Sequence, residues 1–252
     1  MNPGLRKTLR IAAFVALLCV GSGMVGCQAL QRRFLFFPSH DTADNGFTPW
    51  LRAGAVIGYS RPVRDPENIW LMLHGNGGQA AGRTYALPAF SARDSLFILE
   101  YPGFGARAGT PSRKSFDAAA LAGYQQLRAQ FPGKHIAIFG ESLGSGPAAM
   151  LSRATPAPDK IVFVVPFDNL KSVAAEHFPR LLVELVLAGS WDNIAAMSGY
   201  RGPVEVFGAE NDEVIAVSHA RALAASIPQA QFHLIAGGHG WALAPGVDVR
   251  FP

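Results

Sequence analysis

The chain has 252 residues, of which 49% are hydrophobic and only 16% charged, with a formal net charge of +4. That supply of apolar side chains suffices for one substantial core, and no linker-like stretch, charge block or internal repeat divides it. No basic tract interleaved with aromatics is present, so no nucleic-acid surface is expected, and both cysteines, Cys19 and Cys27, lie near the start, which leaves the body without a disulfide framework.

Arg6, Lys7 and Arg10 precede the apolar run from Ile11 to Val20, and small residues then lead to Cys27. This is the layout of a secretory signal. Met24-Val25-Gly26-Cys27 resembles a bacterial lipoprotein cleavage box, in which the cysteine is lipidated and becomes the mature N-terminus. Removal of residues 1–26 would take away three basic residues and no acidic one, so that +4 becomes +1. The second reading is an uncleaved anchor, because residues 11–31 carry no charge and are long enough to span a bilayer. On either reading residues 27–252 form one body outside the cytoplasm, held at a membrane through the N-terminus. Phe34-Leu35-Phe36-Phe37 follows, and is read as a lipid contact, a first strand or a strap across the core.

Short apolar runs then recur at Ala55 to Tyr59, Ile69 to Leu73, Leu96 to Glu100, Ile136 to Phe139, Ile161 to Val165, Val204 to Phe207 and Phe232 to Ile235. They predict successive strands. Between several of them lie helical patterns, the clearest at Phe116, Ala120, Tyr124, Leu127 and Phe131, stopped by Pro132-Gly133. Strands alternating with helices imply a mainly parallel sheet covered on both faces, with chemistry collected at the carboxyl ends of the strands.

Gly140-Glu141-Ser142-Leu143-Gly144 sits between a strand-like run and a helix whose first turn holds Pro147. A G-x-S-x-G pentapeptide in this position holds a serine nucleophile on a strained elbow, and Gly140 and Gly144 leave the room such a turn needs. A serine hydroxyl needs a base, and the base needs an acid partner that orients it and stabilises its charged form. His239, in Gly237-Gly238-His239-Gly240 directly after the last strand, is the base; His219 falls in a helical pattern and His233 within a strand. Asp212 follows the penultimate strand and is the acid, with Glu210 and Glu213 nearby and Asp168 as a second location. The oxyanion donors are the backbone N–H groups of Leu143 and, in His74-Gly75-Asn76-Gly77-Gly78, of Asn76. His74 shapes that loop and transfers no proton.

Taken with Tyr101-Pro102-Gly103-Phe104-Gly105, these motifs occur in an order that resembles the α/β-hydrolase fold. They are similar above all to the membrane-associated α/β-hydrolase-domain group, which includes depalmitoylating thioesterases and lysophospholipase-like or peptidase-like hydrolases. The resemblance runs over roughly residues 30 to 245, by motif order. It implies a three-layer α/β fold with a short cap segment, and a serine hydrolase of ester, thioester or related acyl bonds that needs no cofactor and takes a small-molecule or lipid-like substrate. An acyltransferase on the same triad, or an anchored binding protein without turnover, are the alternatives.

Gly103-Phe104-Gly105-Ala106-Arg107-Ala108-Gly109 matches a dinucleotide-binding glycine pattern, but Thr110-Pro111 stands where a helix should open. No H-E-x-x-H or paired-cysteine set points to a metal. Phe178 to Leu187 is read as a helix packed on the sheet, with an acyl-pocket lining or lid as the alternative.

Overall fold

A computed structural model of the chain describes residues 35–41, 46–187, 189–240 and 247–249. Residues 1–34, which include the expected signal at 1–26 or anchor span at 11–31 and Cys27, lie outside the described residues. Among the described residues no helix is long and apolar enough to cross a membrane.

Eight strands form one sheet: β1 (Thr48–Arg52), β2 (Ala55–Arg61), β3 (Asn68–Leu73), β4 (Ser95–Leu99), β5 (His135–Glu141), β6 (Lys160–Val164), β7 (Val204–Ala209) and β8 (Ala230–Ile235). Their spatial order is β1-β2-β4-β3-β5-β6-β7-β8. β2 runs antiparallel to both neighbours, and every pairing from β4 to β8 is parallel. The seven expected strands are β2 to β8. β1 is an addition, joined to β2 by the two-residue turn Ala53-Gly54, in which both residues have positive φ (49° and 79°). A turn with φ positive at both central residues suits the right-handed twist of a hairpin, but alanine is an unusual occupant of its first position, so the residue types gave no signal there.

β3, β4 and β6 read as continuous apolar runs because they are covered on both sides. The strand period of two deals their side chains alternately to two cores. Ile69, Leu71, Leu73, Ile136, Ile138, Ile161 and Phe163 face one core, while Trp70, Met72, Ala137, Phe139, Val162 and Val164 face the other.

The first core is roofed by α1 (Arg113–Gln130), α2 (Ser145–Leu151) and α6 (Val217–Ala225). It also takes in residues of α3 (Leu170–His177), α4 (Arg180–Val186) and α5 (Asn193–Met197), the short segment between β6 and β7 that is the expected cap. The second core is covered by a 3-10 segment, Ala80–Ala89, and by Val249, whose N–H donates to the Ala89 carbonyl. α1 starts at a reciprocal cap in which Ser112 Oγ accepts from Ser115 N–H and Ser115 Oγ accepts from Ser112 N–H. Pro111 closes against Gly103, where an added Cβ would stand 2.5 Å from the proline ring, and α1 opens only at Arg113. The Gly103 to Gly109 stretch is therefore a turn and not the start of a phosphate-cradling helix.

Phe178 to Leu187 is not one helix packed on the sheet. The chain breaks at Phe178-Pro179, and α4 buries Val183 while Phe178, Leu181, Leu182 and Leu185 are 56%, 76%, 44% and 59% exposed. Spacing alone gave these leucines a buried face, but from this segment it is Val183 and Leu187 that enter the core. Phe36 is buried and Phe37 is 55% exposed, so the run around them is a strap with one side chain in the core and one outside.

The nucleophile elbow lies where α2 leaves β5 and crosses the end of β3. A Cβ at Gly144 would overlap the Leu73 carbonyl and stand 2.7 Å from the His74 carbonyl oxygen, and one at Gly140 would stand 2.6 Å from Ala148 Cβ. Backbone on both sides cannot give way as a flexible side chain would. Gly144→Ala should destabilise the protein by about 1–3 kcal/mol or more through overpacking, read as a lowered denaturation midpoint in urea; an unchanged midpoint would show that the two segments are not in the contact described.

Candidate active site

Ser142 sits at the carboxyl end of β5 with φ of +48°, a left-handed conformation that costs a non-glycine residue roughly 1–2 kcal/mol. The turn lifts its hydroxyl above the sheet edge. Ser142 Oγ lies 2.8 Å from His239 Nε2. His239 Nδ1 lies 2.8 Å from Asp212 Oδ2 and 3.0 Å from Oδ1. The structure thus brings together three side chains that are far apart along the chain.

Asp212 is held as tightly as its imidazole partner. Its side chain is 1% exposed, and Oδ1 also accepts from Val214 N–H at 2.9 Å and Ile215 N–H at 2.8 Å. Beyond the strand pair β7/β8, Glu210 N–H donates to the Ile235 carbonyl and Asn211 N–H to the Gly237 carbonyl. These bonds carry the ladder into the two loops and tie the loop of Asp212 to the loop of His239. Glu213 Oε2 accepts from His239 N–H at 3.4 Å, while Glu210 is exposed. Neither glutamate approaches the imidazole as a second acid.

The other late histidines have partners elsewhere. His219, on α6, places Nδ1 2.7 Å from Asp168 Oδ1 and Nε2 3.0 Å from Glu176 Oε1, so it ties the loop after β6 to the cap helix α3. Asp168, the second location for the acid, is thereby committed to His219 and not to His239. His233 stacks on Phe207 with ring centroids 4.6 Å apart and lies 3.3 Å from Glu205.

The loop after β3 reaches the same edge. Gly75 approaches the elbow closely enough that an added Cβ would stand 3.3 Å from Ser142 Cβ. Leu143 is the residue after Ser142, in a 3-10 turn (Ser142–Gly144) that leads into α2. Asn76 N–H donates to no described residue. The side chain of Asn76 turns the other way: its Nδ2 donates to the Leu35 carbonyl at 2.6 Å and its Oδ1 accepts from Phe37 N–H at 3.0 Å. Its amide therefore pins the strap across the loop. His74 is fully buried, with Nδ1 2.8 Å from the Gly75 carbonyl oxygen and its ring against Tyr101. Tyr101 Oη donates to the His74 carbonyl at 2.9 Å, and its ring stacks on Phe116 at 4.0 Å. The Tyr101 motif is a brace beneath the loop.

A polar group that the sequence did not disclose lies behind the elbow. Glu141 Oε2 accepts from Gly75 N–H at 3.0 Å and Oε1 from Tyr85 O–H at 2.6 Å. Arg83 Nη1 donates to Tyr85 Oη at 2.8 Å, and its Nη2 to the carbonyls of Gly75, at 3.1 Å, and Gly77. Burial, with the Glu141 carboxylate adding to it, pushes the Tyr85 phenol well above its ordinary range and keeps it a donor. Burial pulls the Arg83 guanidinium down, but Glu141 and Tyr85 outweigh it and the net direction is upward. The signal in the sequence was Glu141 itself, a charged residue between an apolar strand and the nucleophile.

On the cap side, Trp191 covers Gly146 of α2, where a Cβ would stand 2.6 Å from the indole, and its Nε1 donates to Asp117 at 2.8 Å. Burial raises Asp117 above the usual carboxylate range, against hydrogen bonds from Trp191 and Arg113. Asn193 Nδ2 donates to Ser145 Oγ and to the Phe167 carbonyl, so the cap is bolted to the elbow helix.

Loss of the Asn76 side chain removes both strap bonds and leaves its backbone N–H in place. Asn76→Ala should lower stability by about 1–2 kcal/mol and open the strap to limited proteolysis near residues 35–41; a digestion pattern and midpoint like those of the wild type would contradict this anchoring.

No family model matches the chain. It is 27% identical over 256 residues to an uncharacterized protein of Mycobacterium tuberculosis, covering 93% of this chain and 88% of that one. It is 31% identical over 150 residues to the lysophosphatidylserine lipase ABHD12 of Danio rerio, and that match spans 56% of this chain and 38% of the relative. Among solved structures, the Pyrococcus furiosus esterase Pf2001 superposes with a TM-score of 0.63 at 13% identity, covering 81% of this chain and 90% of the esterase. An alpha-beta hydrolase of Vibrio vulnificus superposes with a TM-score of 0.59 at 19% identity, covering 72% and 70%. With its antiparallel β2, its parallel run from β4 to β8 and these structural neighbours, the chain has the α/β-hydrolase fold.

Proposed function

We propose that the protein is a serine hydrolase that cleaves an ester, thioester or related acyl bond of a lipid-like substrate through an acyl-enzyme on Ser142. The observation that carries this reading is the unbroken line from Ser142 Oγ to His239 Nε2, 2.8 Å, and from His239 Nδ1 to Asp212, 2.8 Å. His239 takes the hydroxyl proton as Ser142 Oγ attacks the acyl carbonyl, and Asp212 orients the ring and stabilises the imidazolium. The carbonyl oxygen becomes negative and is received by the N–H groups of Asn76 and Leu143. As the tetrahedral intermediate collapses, the carbon–heteroatom bond breaks and His239 returns its proton to the leaving group. A water, deprotonated by the same imidazole, then releases the acyl group.

Reaction with a fluorophosphonate probe tests the nucleophile. The wild type should be labelled and Ser142→Ala should not, and Ser142→Ala or Asp212→Asn should lower turnover of an activated ester by roughly 10⁴-fold. An unlabelled wild type that turns over no activated ester would remove the enzyme reading, and acyl transfer to an added alcohol in preference to water would make it a transferase.

The lipid-like character is supported by the outward stripe of α4 and by the similarity to a lysophosphatidylserine lipase. Val183 and Leu187 of this segment share a core with Leu143, which puts the stripe on the side of the molecule that carries the elbow. The N-terminal sequence fits a position at a membrane, as a lipoprotein modified at Cys27 or by a single anchor. Replacing Leu181 and Leu185 together by serine should lower kcat/KM for long-chain esters about tenfold, the equivalent of fewer than two buried methylenes at about 0.8 kcal/mol each, and leave acetate esters within about twofold. An equal loss on both chain lengths would assign these leucines to folding and not to the acyl chain.

A further inference from the structure

An oxyanion donor is useful only if its N–H points at the developing charge before the reaction begins, and a glycine-rich loop does not hold a direction by itself. In the loop after β3, both polar atoms of Gly75 are taken. Its N–H donates to Glu141 Oε2 at 3.0 Å, and its carbonyl accepts from Arg83 Nη2 at 3.1 Å with His74 Nδ1 at 2.8 Å. The Gly75 carbonyl and the Asn76 N–H belong to one planar trans peptide, so they point in opposite directions. Whatever fixes the carbonyl inward fixes that N–H outward. Glu141 and Arg83 are 7% and 8% exposed, and Tyr85 joins them through bonds of 2.6 and 2.8 Å. Arg83 is aimed from a kink in the 3-10 segment, where its φ and ψ of −94° and 26° leave the helical range.

We infer that Arg83, Tyr85 and Glu141 are positioning residues that set the direction of the Asn76 N–H by gripping both ends of Gly75. The inference rests on the hydrolase reading above. None of the three touches the substrate. Arg83 draws the carbonyl in, Glu141 holds the preceding N–H so that it cannot compete as a donor, and Tyr85 couples guanidinium to carboxylate. Gly75 is the residue that permits the arrangement, because any Cβ there would press on both Glu141 and Ser142 at 3.3 Å.

The test compares wild type, Glu141→Gln and Tyr85→Phe, with activity counted per fluorophosphonate-reactive site so that misfolded protein does not enter. A glutamine offers one oxygen where two donors arrive, and its NH₂ opposes one of them. Glu141→Gln should lower kcat about 10- to 100-fold with KM within about twofold, less than the roughly 100- to 1000-fold that follows outright loss of an oxyanion donor. Tyr85→Phe, which keeps the ring and removes one hydroxyl, should lower it about 3- to 10-fold. A phenylboronic acid, whose tetrahedral adduct on serine places an oxygen where the oxyanion forms, should lose affinity by the same factor as kcat in each variant. If both variants keep wild-type kcat per reactive site and wild-type boronate affinity, the positioning role is overturned while the hydrolase reading stands. If kcat falls and boronate affinity does not, the residues act away from the oxyanion and the inference also fails. A wild type that never reacts with the fluorophosphonate removes the underlying reading first.

Discussion

The site depends on how closely the start of α2 approaches the end of β3. At Gly144 the separation leaves no room for a methyl group against the Leu73 and His74 carbonyls. That contact brings Leu143, the residue after Ser142, alongside the loop that follows β3, although the two come from different strands. Packing of this kind is enforced by hard overlap and not by attraction, so it is stiff at no cost in conformational entropy beyond that of glycine itself.

At the carboxyl edge of the sheet the polar groups are numerous and buried. Glu100, Glu141, His74, Arg83 and His219 are all among the buried residues. Taking charges out of water is expensive, and the expense is offset only where each is paired and hydrogen-bonded. Here the pairing is dense. Glu100 accepts from Ala80 N–H and lies 3.4 Å from His74, His219 bridges Asp168 and Glu176, and Arg83 reaches Tyr85 and two carbonyls. Two histidine–aspartate couples at this edge are kept apart by their loops: one lies in the loops after β7 and β8, the other joins α6 to the loop after β6. Only the first meets the serine.

Much of this was legible in the residues. The apolar runs at β2 to β8 are what a sheet buried on both faces requires, and the order of elbow, acid and histidine follows from which strands carry loops to one edge. What escaped has physical reasons. β1 depended on a turn whose φ signs the pair Ala53-Gly54 does not advertise. The outward leucines of α4 have the spacing of a buried face, and which side of so short a helix enters the core, here the side of Val183, is settled by the tertiary packing. Glu141 occupies a position of the elbow that tolerates many residues, and its partners Tyr85 and Arg83 are brought to it by the fold alone. Asn76 was read for its backbone, while its side chain does a second job that depends on a strap some 40 residues upstream.

That second job has a mechanical side. Leu35 and Phe37 are tied to the side chain of Asn76, in the loop after β3, and Ser39 and His40 bond to the neighbouring turns at Gly78 and Gly105. A pull on the strap at residues 35–41 is therefore borne by a seam of hydrogen bonds lying across the loops. The strap at residues 35–41 and the loop after β3 share a single hinge pin at Asn76.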